Sequence, residues 1–190
     1  PMTIGGKIMN FQKADKYMNC GADKLLISSA FQTNRKLCEA LSNYYGRQSI
    51  IACIDYKKSK NDNKVYYANG DKLSKYSIND NIKICHDYGA GEIILQSIDN
   101  DGTGNGLDLS FFENMRSIIN IPCIAMGGIG KERHILNGLL CNGIDAVSTA
   151  NLFNFINTAF LDVRKILIQN KLEVPKWNDN DFFKLKHKFK

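Results

Sequence analysis

The 190 residues carry 44% hydrophobic and 23% charged side chains and a formal net charge of +6, the composition of an ordinary globular chain with room for one sizeable core. No apolar run reaches the length of a membrane-spanning helix, no nucleic-acid motif accompanies the lysines, and six cysteines and three histidines form neither a C-x-x-C pair nor a ligand set. Membrane, nucleic-acid and metal-binding functions are set aside on these grounds, and the expectation is a cytoplasmic protein with reduced core cysteines and no cofactor.

In chain order, "MTIGG" is a short apolar run ended by glycines, a strand running into a loop. Asn10 is placed to cap a helix with Phe11, Ala14, Tyr17 and Met18 inward, stopped at Gly21. "KLLIS" is the next strand, and Asn34 to Tyr45 a second helix. "SIIACID" is a continuous apolar run, as a parallel strand covered on both faces requires. "KVYYANGDKL" turns at Asn69-Gly70 and reads as a hairpin excursion. Ser77 caps a helix closed by Gly89, "EIILQS" is a strand, and "DGTGNG" is a Gly-rich loop. Leu109 to Ile119 is predicted helical, "PCIAM" a strand, Glu132 to Cys141 a helix, "DAVST" a strand and Thr158 to Asn170 a last amphipathic helix. Much of the positive charge lies on Lys57, Lys58 and Lys60 and in the terminal "KLKHKFK", read as a solvated face and a Lys-rich tail.

An internal repeat organises this pattern. At a constant offset of 122 residues, Gly5/Gly127, Gly6/Gly128, Gly21/Gly143, Asp23/Asp145 and Phe31/Phe153 coincide, and the apolar positions between them coincide as well. Each copy is one strand end with a Gly-Gly turn, a helix, a Gly stop and a strand. Strand–helix alternation six times over means a parallel sheet with helices outside. Of the two architectures that fit, an open doubly wound sheet and a (β/α)₈ barrel, the repeat favours the barrel, with about six of eight βα units present over residues 1–172 and a basic tail over 173–190. Because the first unit is already the repeat partner of the penultimate one, two units are expected to be missing at the front, and the chain opens at Pro1 rather than Met.

Barrel chemistry sits at the C-terminal ends of the strands. There "ACIDYK" places Asp55 and "SIDNDGTGNG" places Asp99 and Asp101. A carboxylate ending an apolar strand is costly unless paired, solvated or used; Asp108 instead suits a helix cap. Asp55 and Asp101 are expected to share one cavity, as acid–base work needs. The two Gly-Gly pairs, each followed by a small polar strand end, suggest two phosphate sites and a substrate with a phosphate at each end.

Taken together, "TIGG", "GADKLLISSA", "ACIDYK", "GAGEIILQSIDNDGT" and "GG" followed by "GIDAVSTANLF" resemble the cyclase subunit of imidazole glycerol phosphate synthase, a (β/α)₈ enzyme of histidine biosynthesis. The resemblance runs to about residue 172. It implies a heterodimer with a glutaminase that releases ammonia below the barrel. The ammonia crosses the barrel core and reacts with a bis-phosphorylated small molecule, giving imidazole glycerol phosphate and aminoimidazole carboxamide ribonucleotide. It implies Asp55 as one of two acid–base carboxylates, the other lying on a strand this sequence lacks, so that these residues alone are expected to be inactive. It makes Asp101 an assisting carboxylate. One phosphate site maps to Gly6, Lys7, Ser28 and Ser29, the other to Gly102, Thr103, Gly127, Gly128, Ala150 and Asn151. Lys24 matches a lysine of a charged gate at the lower mouth, and Asp23 a residue facing the glutaminase. Lys7 stands where the family has a third glycine. Asn100 stands where the family has arginine, and Met126 where it has a small residue. "IDNDG" is closer to a sister branch that feeds ammonia to the synthesis of acetamidino sugars for surface polysaccharide. A non-catalytic interaction module is the third alternative.

Overall fold

A computed structural model of the chain describes residues 1–59, 63–150, 152–153 and 159–175. Six parallel strands lie in strict chain order: β1 (Thr3–Gly5), β2 (Lys24–Ile27), β3 (Ile50–Lys57), β6 (Glu92–Ser97), β7 (Cys123–Met126) and β8 (Ala146–Ser148). This is barrel order, with none of the reversal that a doubly wound sheet requires, and β1 and β8 stand at opposite edges of the curled sheet. The intervening β4 (Lys64–Tyr67) and β5 (Lys72–Leu73) form the expected hairpin, and β4 pairs antiparallel with the upper end of β3. The β2 pairing with β3 stops at Ala52; from Asp55 to Lys57, β4 takes over as the neighbour on that side.

The helices begin where the sequence supplies a cap. Asn10 accepts from the Lys13 backbone N–H at 2.9 Å, opening α1 (Phe11–Asn19). Asn34 accepts from Leu37 at 3.2 Å to open α3 (Arg35–Tyr45), after a short α2 (Ala30–Thr33) that the sequence pattern does not signal. Ser77 accepts from Asp80 at 3.1 Å to open α4 (Ile78–Asp87). These side chains satisfy donors that a helix leaves unpaired, each contributing about 1 kcal/mol. α6 (Glu132–Leu140) and α7 (Ala159–Gln169) follow near their expected positions. The helix expected from Leu109 to Ile119 is instead one turn, α5 (Leu109–Phe112), and a 3₁₀ turn at Met115–Ser117. Phe112 and Met115 are both buried, so the segment folds to place two large side chains at successive turns rather than to extend one helix.

Alternation along the strands divides the sheet into two faces. Leu25, Ile27, Ala52, Ile54, Tyr56, Ile93, Leu95, Cys123 and Ala125 point to the helices and form the main core with Ala14, Cys38, Leu41, Ile82, Cys85 and Phe112. Each fully buried leucine or isoleucine contributes about 1.5–3 kcal/mol of burial. A second cluster joins Ile135 and Leu136 of α6 to Ala159, Val163 and Leu167 of α7. The other set of strand residues, including Lys24, Leu26, Cys53, Asp55, Glu92, Ile94, Gln96, Ile124 and Met126, is half-buried on the concave face, apart from the exposed ends of β1. The cysteines follow this division. Cys38, Cys85 and Cys123 are buried, Cys53 and Cys141 are intermediate, and Cys20 is exposed, so the expectation of core cysteines holds for some and fails at Cys20.

The repeated aspartates share one structural task. Asp23 accepts a hydrogen bond from the backbone N–H of Met2, just ahead of β1, and Asp145 accepts one from Cys123 at the start of β7 at 2.8 Å. Each carboxylate ties the loop before one strand to the start of its neighbour.

Candidate active face

Asp55 lies on the concave face near the top of β3, with Gln96 of β6 and Tyr66 of β4 as its cross-strand partners. It opens on a cleft of about 620 Å³. The expected first phosphate residues Gly6, Lys7, Ser28 and Ser29 line that same cleft, as do Cys53 and Gln96. Burial raises the Asp55 carboxyl above its ordinary value, and the Cys53 thiol, 3.4 Å from Oδ1, opposes that rise. Burial pushes the Cys53 thiol itself well up, helped by the Asp55 charge, so it stays protonated and donates.

Gly6 and Lys7 both have left-handed backbones, φ +108° and +52°. Lys7 thus adopts the glycine-like conformation at the position where the resembled family has a third glycine, at a strain of about 1–2 kcal/mol, and puts a cation at the cleft. The Ser29 hydroxyl accepts from the Ala68 backbone N–H at 3.0 Å, which leaves its hydrogen available to a ligand.

Further lining residues come from the hairpin: Tyr67, Ala68, Asn69, Asp71 and Lys72. The sequence marks a turn here but nothing that carries it over the cleft. Its anchoring is visible only in three dimensions, through Ser74 to Gln32 at 3.0 Å and the buried Asn81, which bonds Ser74 and Gln32.

Asp101 opens on a different, smaller depression of about 10 Å³, lined also by Gly102, Met126, Gly127, Gly128, Ser148, Thr149 and Ala150. The expected shared cavity is therefore two pockets, with Gln96 between them: its Nε2 lies 3.4 Å from Asp101 Oδ2. The roomier pocket is the one containing Lys7. Met126, on the concave face and paired with Gln96, stands in the smaller one. Gly128 is fixed by close approach, since a Cβ there would lie 2.2 Å from the Gly106 carbonyl oxygen, whereas Gly6 has no atom within 4 Å of such a Cβ. Thr103 is exposed and its hydroxyl serves the loop, donating to the Asn100 carbonyl at 2.8 Å. Asn151 lies outside the described residues, as does Lys60.

Asp108 stands at the N-cap position of α5 without capping it. Its carboxylate takes Lys58 Nζ at 3.0 Å and the Ser110 hydroxyl at 2.9 Å, while Asp99 accepts from the Lys58 backbone at 2.9 Å. Lys58, read from sequence as a solvated charge, instead ties the start of the excursion to the Gly-rich loop. At the opposite end of the sheet Lys24 pairs with Glu92 across β3, both half-buried on the concave face. Glu92 was not singled out from sequence; its place at the foot of β6, in phase with Gln96, is the signal that identifies it.

Six parallel βα units with polar loops gathered at one end define a protein of the (β/α)-barrel class. Comparison with known proteins makes the assignment narrower: the chain belongs to the family described as histidine biosynthesis protein, whose model matches residues 1–158. It is 38% identical over 156 residues to a putative imidazole glycerol phosphate synthase subunit of Parasynechococcus marenigrum, covering 82% of this chain and 58% of the relative. It is 35% identical over 155 residues to a putative subunit of the same synthase from Prochlorococcus marinus, covering 81% and 59%. It is also 35% identical over 177 residues to the imidazole glycerol phosphate synthase subunit HisF of Bacillus cereus, covering 92% and 69%. The chain thus spans less than two thirds of the length of the first two relatives. Among the described residues no helix is long and apolar enough to cross a membrane.

Proposed function

We propose that this chain carries part of the active face of an imidazole glycerol phosphate synthase cyclase subunit, a lyase-type cytoplasmic enzyme. It would use ammonia from a glutaminase partner to form imidazole glycerol phosphate and aminoimidazole carboxamide ribonucleotide. The observation that carries this reading is the placement of two loop-lined pockets at one end of the sheet, one with Asp55 and the other with Asp101. In this reading Asp55, whose carboxyl burial raises above its ordinary value, exchanges a proton with the substrate, and Asp101 assists from the neighbouring pocket. Gly6, Lys7, Ser28 and Ser29 hold one phosphate through backbone N–H groups, a cation and hydroxyls. Gly102, Thr103, Gly127, Gly128, Ala150 and Asn151 hold the other. Asp23 and Lys24 face the glutaminase and the ammonia entry at the opposite end, where the Lys24–Glu92 pair supplies the charged gate.

The test is ammonium-dependent turnover of the bis-phosphorylated precursor by the 190-residue chain and by a version extended with about two further βα units. Turnover in the extended version, lost on Asp55→Asn with precursor binding kept, supports the reading. No turnover in either, with conversion of an amidino-sugar precursor instead, assigns the chain to the polysaccharide branch. Partner binding without any turnover leaves an interaction module.

A further inference from the structure

Two side chains between the carboxylates have no part in the reading above. Cys53 precedes Asp55 by two residues on the same strand, and Gln96 is the residue of β6 opposite Asp55, so all three share the concave face. The Cys53 sulfur lies 3.4 Å from Asp55 Oδ1 and 3.7 Å from Gln96 Oε1. Gln96 Nε2 lies 3.4 Å from Asp101 Oδ2. The direction of each link follows from its chemistry. A protonated thiol has one hydrogen to give, and either oxygen can receive it. With its oxygen turned to the thiol, the Gln96 amide presents N–H to Asp101.

We propose that Cys53 and Gln96 are positioning residues that join Asp55 and Asp101 into one proton-handling unit across the two pockets. The proposal rests on reading the two carboxylates as the acid–base groups of the site. While Asp55 is ionised, the thiol hydrogen belongs to it. When Asp55 takes up a proton, that hydrogen turns to Gln96 Oε1, polarises the amide and strengthens its N–H toward Asp101. A change of charge in one pocket is thereby felt in the other. The charged groups facing Asp55 are Lys7 from the loop after β1 and Asp71 and Lys72 from the hairpin. Lys57 follows on β3, its ammonium 4.9 Å from the Tyr66 ring. From β6 the charge is Glu92 at the far end, paired with Lys24.

The measurement is a carbon-13 NMR titration of the whole 190-residue chain labelled at aspartate carboxyl carbons, without substrate. Asp55→Asn and Asp101→Asn assign the two signals. Loss of the thiol donor in Cys53→Ala or Cys53→Val is expected to move the Asp55 midpoint to higher pH, while Cys53→Ser, which keeps a donor, does not raise it. The wild-type Asp101 signal is expected to inflect at the Asp55 midpoint, and Gln96→Ala to remove that inflection. An Asp55 midpoint unmoved or lowered in both Cys53→Ala and Cys53→Val overturns the proposal. So does a wild-type Asp101 curve without the inflection, or an inflection that survives Gln96→Ala. No turnover enters the measurement, so failure of the cyclase assay and failure of the coupling are separate results.

Discussion

Asp55 is held at a cost to the fold. Its folded carboxyl titrates above the ordinary value because burial disfavours the charge. The charged form therefore favours the unfolded chain: the group's relative stabilisation is present below its ordinary value and is lost as pH rises through the folded one. Asp55→Asn is expected to raise the thermal midpoint at pH 7 while removing turnover in the extended enzyme, and the gain in stability should shrink on acidification. An equal or lower midpoint at pH 7, by calorimetry, counts against this. The paired glycines, alike in sequence, predict unlike outcomes. Gly6→Ala meets only an unfavourable φ of +108° and should cost about 1–2 kcal/mol. Gly128→Ala adds a backbone clash at 2.2 Å to a φ of +93° and should cost at least about 3 kcal/mol, both read by urea denaturation. Occupancy should also differ between the pockets. The depression of about 10 Å³ is the tighter of the two, so sulfate titrated into crystals is expected first at Gly6, Lys7, Ser28 and Ser29. Met126→Ala should let the second site fill at lower concentration.

At the scale of elements, Asp145, one of the repeated aspartates, gives a pH signature. The Arg116 guanidinium, 2.7 Å from Asp145 Oδ1, holds that carboxyl below its ordinary value. Its contribution is complete above 3.8, the ordinary value, and is lost as pH falls through the folded one. Asp145→Asn should thus lower the urea midpoint at pH 7 and make little difference at about pH 2. How much could be read beforehand depends on the range of the forces involved. Asn10, Asn34 and Ser77 announce helices because a cap acts over three residues, and "EIILQS" announces a strand because its neighbours in the chain suffice. The break after Phe112 was not legible, because what favours it is burial of Phe112 and Met115 against distant residues. Asp55 stood out as a charge after an apolar run. Cys53 did not, since a cysteine in "IIACID" reads as core until the face it shares with Asp55 is known. Gln96, Glu92 and the hairpin's reach over the cleft depend on register between strands, which no single segment encodes.

Across the whole molecule, the repeat and the count of alternating units were sufficient for barrel order, because right-handed parallel crossovers leave few other arrangements. Among the described residues β1 and β8 each have a single strand neighbour, and strand edges without a partner favour association; light scattering across a concentration series should show mass rising above that of one chain. The central strand behaves differently from those edges. β3 has β6 on one side as far as Tyr56, and on the other side β2 to Ala52 and then the excursion's first strand from Asp55, so Asp55 and Tyr56 are paired on both sides. The consequence is one of time. The backbone at Asp55 can open only if β4 and β6 both let go, whereas the strand tips at Gly5 and Ser148 fray from a single neighbour. Amide hydrogens of Asp55 and Tyr56 that lie in those ladders should exchange with solvent near the slowest rate in the chain. The Asp55 backbone would then hold one orientation for nearly as long as the molecule stays folded, while the loops around it open and close many times.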